Sequence, residues 1–292
     1  MSVRMQCVVA LAVLAIGCAG QSKSDAVVAD SAVVAAPALP AGDAVLPVPG
    51  GQVWYRRTGT GAGTPVILLH GGPGYSSYYL KLFEKLGDDR PVVRYDQSGS
   101  GKSGTLTDTT KMNVARFVAE LDSLRSHLGF DRVHILGHSW GTILGFEYYR
   151  AHPERVASLT LASPALNFPA WAKNAKDLLK TISDSGQRAV ADAEQSGNYA
   201  TPAYEAANGE FWVKYVMRSS PAPVQADLDS LQAQVNLATY GYMQGPSEFT
   251  IVGTLKDYNA TPHFKSVTVP VLFTVGEFDE ANPKLEIGRA HV

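Results

Sequence analysis

The stretch "GHSWG", Gly137 to Gly141, places a serine between two glycines. The apolar run "VHIL" precedes it, and "GTILGFEYYRAH", which has helical spacing, follows. A strand-to-helix turn of this kind pushes a serine into an exposed, strained conformation, and glycines are needed where neighbouring backbone closes on it. In that context Ser139 reads as a nucleophile. A second glycine-rich turn, "HGGPG" at residues 70–74, follows the first buried strand. Its backbone N–H groups can join that of Trp140 in an oxyanion hole that stabilises a tetrahedral intermediate. Gly72 is the preferred donor and Gly71 the second.

A serine hydroxyl at neutral pH needs a histidine base and an acid to orient it, and behind such a turn the chain order is serine, acid, histidine. Asp279 fits as the acid, just past the apolar run "VLFTVGE". Of the seven histidines, His70, His127, His134, His138, His152 and His263 precede it, and only His291 follows. A helix and a further strand normally separate acid from base and take on the order of 25 residues; His291 stands too close behind Asp279 for that. The tail "IGRAHV", Ile287 to Val292, is also what a common short-read sequencing adapter encodes up to its stop codon, with Glu286 an allowed residue before it. Residues 286–292 are therefore expected to be an artefact. The last strand and helix are expected to be missing, and this chain as written to be nearly inactive for want of the histidine.

Other patterns fail on inspection. "DQSGSGKSG", residues 96–104, contains a GKS triplet, but Asp96 stands where a phosphate loop needs glycine. "GTGAG" at 59–63 precedes a strand when a dinucleotide fingerprint must follow one. A formal charge of −2 gives no basic patch for nucleic acid or an anionic membrane surface. The two cysteines, Cys7 and Cys18, both lie at the N-terminus, which leaves no disulfide, thiol nucleophile or cysteine metal site in the rest of the chain. No metal and no cofactor are expected.

The elements that must hold these residues are short apolar runs alternating with helical patterns. "TPVILLHGG", "RPVVRYDQSG", "RVHILGHSWG", "VASLTLASPA" and "VPVLFTVGEFD" read as buried strands. "MNVARFVAELDSLRSHLG" reads as a helix capped by Gly129. Alternation of this kind predicts a mostly parallel α/β sheet covered on both faces. Residues 46–165 form the first part of this core and 251–285 its continuation. Between them, 166–250 are helical and aromatic-rich and are expected to cap the carboxyl ends of the strands, where ligands of open α/β sheets bind. Phe211, Trp212 and Tyr215 of that cap suit either a ligand pocket or the cap's own core. At the N-terminus, residues 1–18 have the layout of a secretory signal, and "LAIGC" is similar to a lipoprotein signal with Cys18 as the lipidated residue. That predicts export to the periplasm or cell envelope, with membrane attachment through the lipid alone. Residues 19–45 read as a flexible tether.

Taken together, "HGGPG", "DQSGSGKS", "GHSWG", "SEFTIVGTLKDY" and "GEFDEANP" resemble the signatures of the proline iminopeptidase (prolyl aminopeptidase) family of α/β-hydrolases, in that family's order. The resemblance implies Ser139 as nucleophile and Asp279 as triad acid. It also implies that Glu248 and Glu280 bind the free α-amino group of a short peptide or amino acid amide. Converging carboxylates in a partly desolvated pocket suit an ammonium group and are left unpaired by an N-blocked peptide. Two other readings stay open: an esterase or lactonase on the same scaffold, and a chain that binds without turning over.

Overall fold

The computed structural model describes residues 40–218 and 234–282. Contacts divide the chain into Met1–Ala36 and Pro37–Val292, and the described residues all belong to the second unit. The expected secretory signal with Cys18, the expected tether up to residue 39, residues 219–233, and the tail with His291 lie outside them.

Seven strands form one sheet in the order β1-β2-β4-β3-β5-β6-β7. They are β1 (Gly42–Val48), β2 (Gly51–Thr58), β3 (Val66–Leu69), β4 (Val92–Asp96), β5 (Val133–His138), β6 (Val156–Ala162) and β7 (Val271–Thr274). The pairs from β4 through β7 are parallel. At the other edge, β1 and β2 form an antiparallel hairpin, and β2 pairs antiparallel with β4.

Every side chain of β3 is buried because both faces of the sheet are covered. Ile67 and Leu69 join Val93, Ile135 and the helix residues Phe117, Leu121, Ile143 and Phe146 on one side. Val66 and Leu68 join Val92, Leu136 and Leu80 on the other. Each such side chain contributes roughly 1.5–3 kcal/mol, so a four-residue strand is well anchored. The helices on the first side are α1 (Val114–His127) and α2 (Trp140–Ala151). Asn113 caps α1 by accepting from the Arg116 N–H, and Gly129 ends it at φ 71°. The opposite face carries the 3-10-wound segment Ser77–Asp88.

Between β6 and β7 lie α3 (Phe168–Leu179), α4 (Asp184–Ser196), α5 (Pro202–Tyr215) and α6 (Leu237–Met243). Phe211 is fully buried among Phe249, Tyr204 and Tyr215 and is core of this layer.

The boundary of the tether needs correction. Strand β1 starts at Gly42, inside the stretch whose composition suggests a linker to residue 45. Most of its side chains are exposed, so no apolar pattern announces it. What holds it is the backbone ladder to β2, the burial of Val48 in the core, and an ion pair from Arg56 to Asp43 at 2.7 Å.

The GKS triplet has a structural use. The buried Asp96 carboxylate accepts from the Ser77 N–H and Oγ–H through Oδ1, and from the Lys102 N–H through Oδ2. A Cβ on Gly101, at φ 49°, would lie 2.2 Å from Asp96 Oδ2. The turn therefore wraps a carboxylate of the protein itself and joins β4 to the Ser77–Asp88 segment. Asp96→Ala leaves these donors buried and unpaired, and should lower unfolding free energy by roughly 3 kcal/mol; denaturant unfolding checks this, with an unchanged midpoint as the contrary result.

Candidate active site

One residue separates β5 from α2, so Ser139 is forced to φ 53° and ψ −123°. A positive φ is costly for a residue with a side chain. The surroundings hold it there: the Ser139 N–H donates to Ala162 O at 2.9 Å, while the Thr142 N–H and Oγ1 donate to Ser139 O at 2.8 and 2.6 Å. A Cβ on Gly137 would lie 2.2 Å from Gly141 O, and one on Gly141 would lie 2.3 Å from Leu69 O. Both obstacles are backbone, which cannot move aside.

A buried network joins this elbow to the two other glycine-rich turns. His70 Nδ1 donates to Gly71 O at 2.8 Å, and Nε2 accepts from the Gln97 N–H at 3.0 Å. The Gln97 side chain donates to His70 O at 3.1 Å and accepts from Trp140 Nε1 at 2.8 Å. Burial lowers the pKa of His70 against the opposing pull of Asp96, which favours the neutral ring that one donated and one accepted bond require. Gln97 escaped the sequence reading, since its partners are remote in the chain.

The structure separates the two oxyanion candidates. The Gly71 N–H donates to Tyr79 Oη at 2.7 Å and is spent, so the expectation of Gly71 as a second donor is corrected. Tyr79 Oη also lies 2.8 Å from His138 Nδ1. Gly72, at φ 113°, makes no such bond among the described residues. Trp140, the first residue of α2, has no partner within its helix for its N–H.

Ser139, Gly72, Asp279, Glu248 and Glu280 all line one cavity of about 310 Å³, with Tyr75, Trp171, Trp212 and Tyr215 among its walls. Trp212 and Tyr215 thus face the cavity, unlike Phe211. Asp279 lies in the loop after β7. Its Oδ1 accepts from the Ala281 N–H at 2.8 Å, and its Oδ2 accepts from Ser163 Oγ at 2.6 Å. Ser163 takes φ 45° directly after β6, and its N–H donates to Thr274 O at 2.8 Å. This contact was not foreseen, and a serine at a strand end is its only trace in the sequence. Among the described residues no histidine is hydrogen-bonded to Ser139 or Asp279.

The two glutamates come from different segments. The main chain of Glu248 is held by Trp171 Nε1, which donates to its carbonyl at 2.9 Å. That of Glu280 is held by Asn174 Nδ2 at 2.9 Å. Burial pushes the Glu248 carboxyl up to about 7, with the Tyr240 hydroxyl opposing and the Asp279 charge adding. Burial, then the charges of Glu248 and Asp279, raise Glu280 well above the usual carboxylate range. Glu280 Oε2 is buried without a hydrogen-bond partner among the described residues. Two carboxylates of this kind favour a bound proton or an incoming cation.

A raised carboxyl pKa gives a pH signature. Between about pH 4.5 and about 7 the folded chain keeps protons that the unfolded chain releases, so stability falls as pH rises through that window. Glu120, also pushed up to about 7 by burial, adds to the slope. Melting temperature without ligand should therefore drop between roughly pH 5 and 7.5, and Glu248→Gln should make the drop smaller. An unchanged slope in the variant would show that Glu248 is not desolvated.

The chain matches the model of the α/β-hydrolase fold over residues 64–287. It is 41% identical over 238 residues to the proline iminopeptidase of Heyndrickxia coagulans, covering 81% of this chain and 82% of that one. It is 37% identical over 239 residues to that of Levilactobacillus brevis, covering 80% and 79%. Among solved structures, the proline iminopeptidase of Mycobacterium smegmatis superposes with a TM-score of 0.72 at 33% identity, over 83% of this chain and 84% of that one. VinJ superposes at 0.77 and 29%, over 86% of each. With its sheet, its elbow and these relatives in agreement, the chain belongs to the proline iminopeptidase family of α/β-hydrolases.

Proposed function

We propose that this protein is a serine aminopeptidase that releases an N-terminal proline, or another small or apolar residue, from short peptides or amino acid amides. The observation that carries the reading is the presence of Glu248 and Glu280, both desolvated, in the same cavity as Ser139, with Glu280 Oε2 short of a partner among the described residues. An ammonium group there satisfies both carboxylates, while an N-acylated terminus leaves them unpaired. Anchoring the amino group close to the nucleophile leaves room for one residue before the scissile bond, which makes the enzyme an exopeptidase.

In the mechanism that follows, Ser139 Oγ attacks the carbonyl carbon and gives its proton to a histidine base of the kind the serine, acid, histidine order requires, which the described residues do not place beside Ser139 or Asp279. Asp279 orients that base, as a carboxylate held by Ser163 and the Ala281 N–H is placed to do. The N–H groups of Gly72 and Trp140 hold the oxyanion. The base then protonates the leaving amine, and water, deprotonated by the same base, hydrolyses the acyl-enzyme and frees Ser139.

Affinity tests the reading without depending on turnover. L-prolinamide should bind and N-acetyl-L-prolinamide should not, and Glu280→Gln should weaken the first by about ten- to a hundredfold. Ser139→Ala should leave both results unchanged, since the glutamates and not the hydroxyl hold the amine. Equal binding of the acetylated amide, or indifference to Glu280→Gln, would favour an esterase or lactonase.

A further inference from the structure

A carboxylate inside a protein stays ionised only where hydrogen-bond donors or a cation replace the water it has lost; otherwise it keeps its proton. Among the described residues Glu280 has neither. Its main chain is held on both sides, the N–H donating to Tyr215 O at 3.3 Å and the carbonyl accepting from Asn174 Nδ2 at 2.9 Å. Oε2 of its side chain, however, is buried without a partner. Glu248 differs, because its Oε2 accepts from Gln244 Nε2 at 3.4 Å.

The surroundings bring no cation to it. The titratable groups that line the cavity with Glu280 are Glu248 and Asp279, Tyr75 and Tyr79 behind the "HGGPG" turn, His138 of the elbow and Tyr215 of α5. From α6 comes the buried phenol of Tyr240, and from α3 the uncharged Trp171 and Asn174. Burial lowers the pKa of His138, so its ring is neutral at pH 7. No lysine or arginine lines the cavity among the described residues. Arg218, over the Phe278 ring at 3.7 Å, is exposed and not part of the wall. Every charge at the wall is therefore negative, and burial, then the charges of Glu248 and Asp279, hold Glu280 well above the usual carboxylate range.

We propose that Glu280 holds a proton in the ligand-free protein and exchanges it for the substrate's ammonium, so that each amine bound releases a proton to solvent. The proposal rests on Glu248 and Glu280 being the amino-group anchors. The exchange balances: the carboxyl O–H breaks, its proton goes to water, and the carboxylate left behind pairs with an ammonium that keeps all of its own protons. An ammonium brings both a positive charge and N–H donors to an oxygen that lacks them, which an N-acylated terminus cannot do. Proton and ammonium thus compete for one site. Affinity for a protonated amine rises with pH through the titration of Glu280 and levels off above it, the sign required of a carboxyl that is protonated without ligand and ionised with it. Acidification closes the site to amino termini.

Calorimetry of L-prolinamide binding to the full chain at about pH 7, where the ligand amine is mostly protonated, counts the protons exchanged when it is repeated in buffers of different ionisation heat. About one proton or more should be released per ligand, since Glu248 also titrates near 7. Affinity should rise about tenfold or more from about pH 6 to 7. Glu280→Gln cannot hold the proton, so its weaker binding should release about one proton fewer and vary less steeply with pH. No release by the wild-type protein overturns the proposal. Equal release by wild type and Glu280→Gln also overturns it, because the proton would then come from another group. The wild-type count decides even if the variant fails to fold. If Glu280→Gln binds L-prolinamide as tightly as the wild type, the anchor reading fails and the proposal with it; affinity lost in the variant with no proton released by the wild type sinks the proposal alone.

Discussion

Two carboxylates withheld from water beside a serine hydroxyl are the constraint around which the functional end of this molecule is arranged. Desolvated charges of like sign repel each other and lack the hydration they would have at the surface. The fold must therefore hold Glu248 and Glu280 by their main chains. It does so through Trp171 and Asn174, both on α3, which donate to the carbonyls of the two residues and leave the carboxylates to the cavity. The helices between β6 and β7 provide both the exclusion of water and the fixed position. In the proposed function an incoming ammonium relieves what the site leaves unsatisfied, so affinity and selectivity would come from the same desolvation.

The position of Ser139 depends on a second constraint, the close approach of backbone at the end of β5. Ser139 can hold a positive φ only because Gly137 and Gly141 admit the neighbouring carbonyls and because β6 accepts its N–H. The chain through His70, Gln97 and Trp140 then locks three turns from three strands into one geometry. Tyr79 occupies the Gly71 amide, while that of Gly72 has no partner among the described residues. The two glutamates and the Gly72 turn are thus set by separate parts of the chain that meet in the cavity at Ser139.

Much of this was legible in the sequence where sterics or two-sided burial dictate residue type. Only glycine fits two residues to either side of Ser139, and β3 to β6 lie between neighbouring strands, so the elbow and these strands show as glycine patterns and apolar runs, while β7, last in the sheet among the described residues, shows by its apolar run alone. Strand β1 stayed hidden because a ladder of backbone hydrogen bonds leaves little compositional trace on exposed residues. Gln97, Tyr79 and Ser163 were missed because hydrogen bonds between residues distant in the chain have no periodicity to reveal them. A buried glutamate and a solvated one look alike in a sequence, so Glu248 and Glu280 were readable only through family resemblance. Gly71 and Gly72 were nearly equivalent on paper, and a tyrosine hydroxyl separated them.

The central claim is that amine and nucleophile meet the same ligand across one cavity. A crystal structure of the protein with L-prolinamide bound tests this directly. The account predicts the ligand nitrogen within hydrogen-bond distance of both Glu248 and Glu280, and the carbonyl carbon facing Ser139 Oγ with its oxygen toward the Gly72 and Trp140 amides. A ligand seated with its amine in solvent, or with its carbonyl turned away from Ser139, would contradict it.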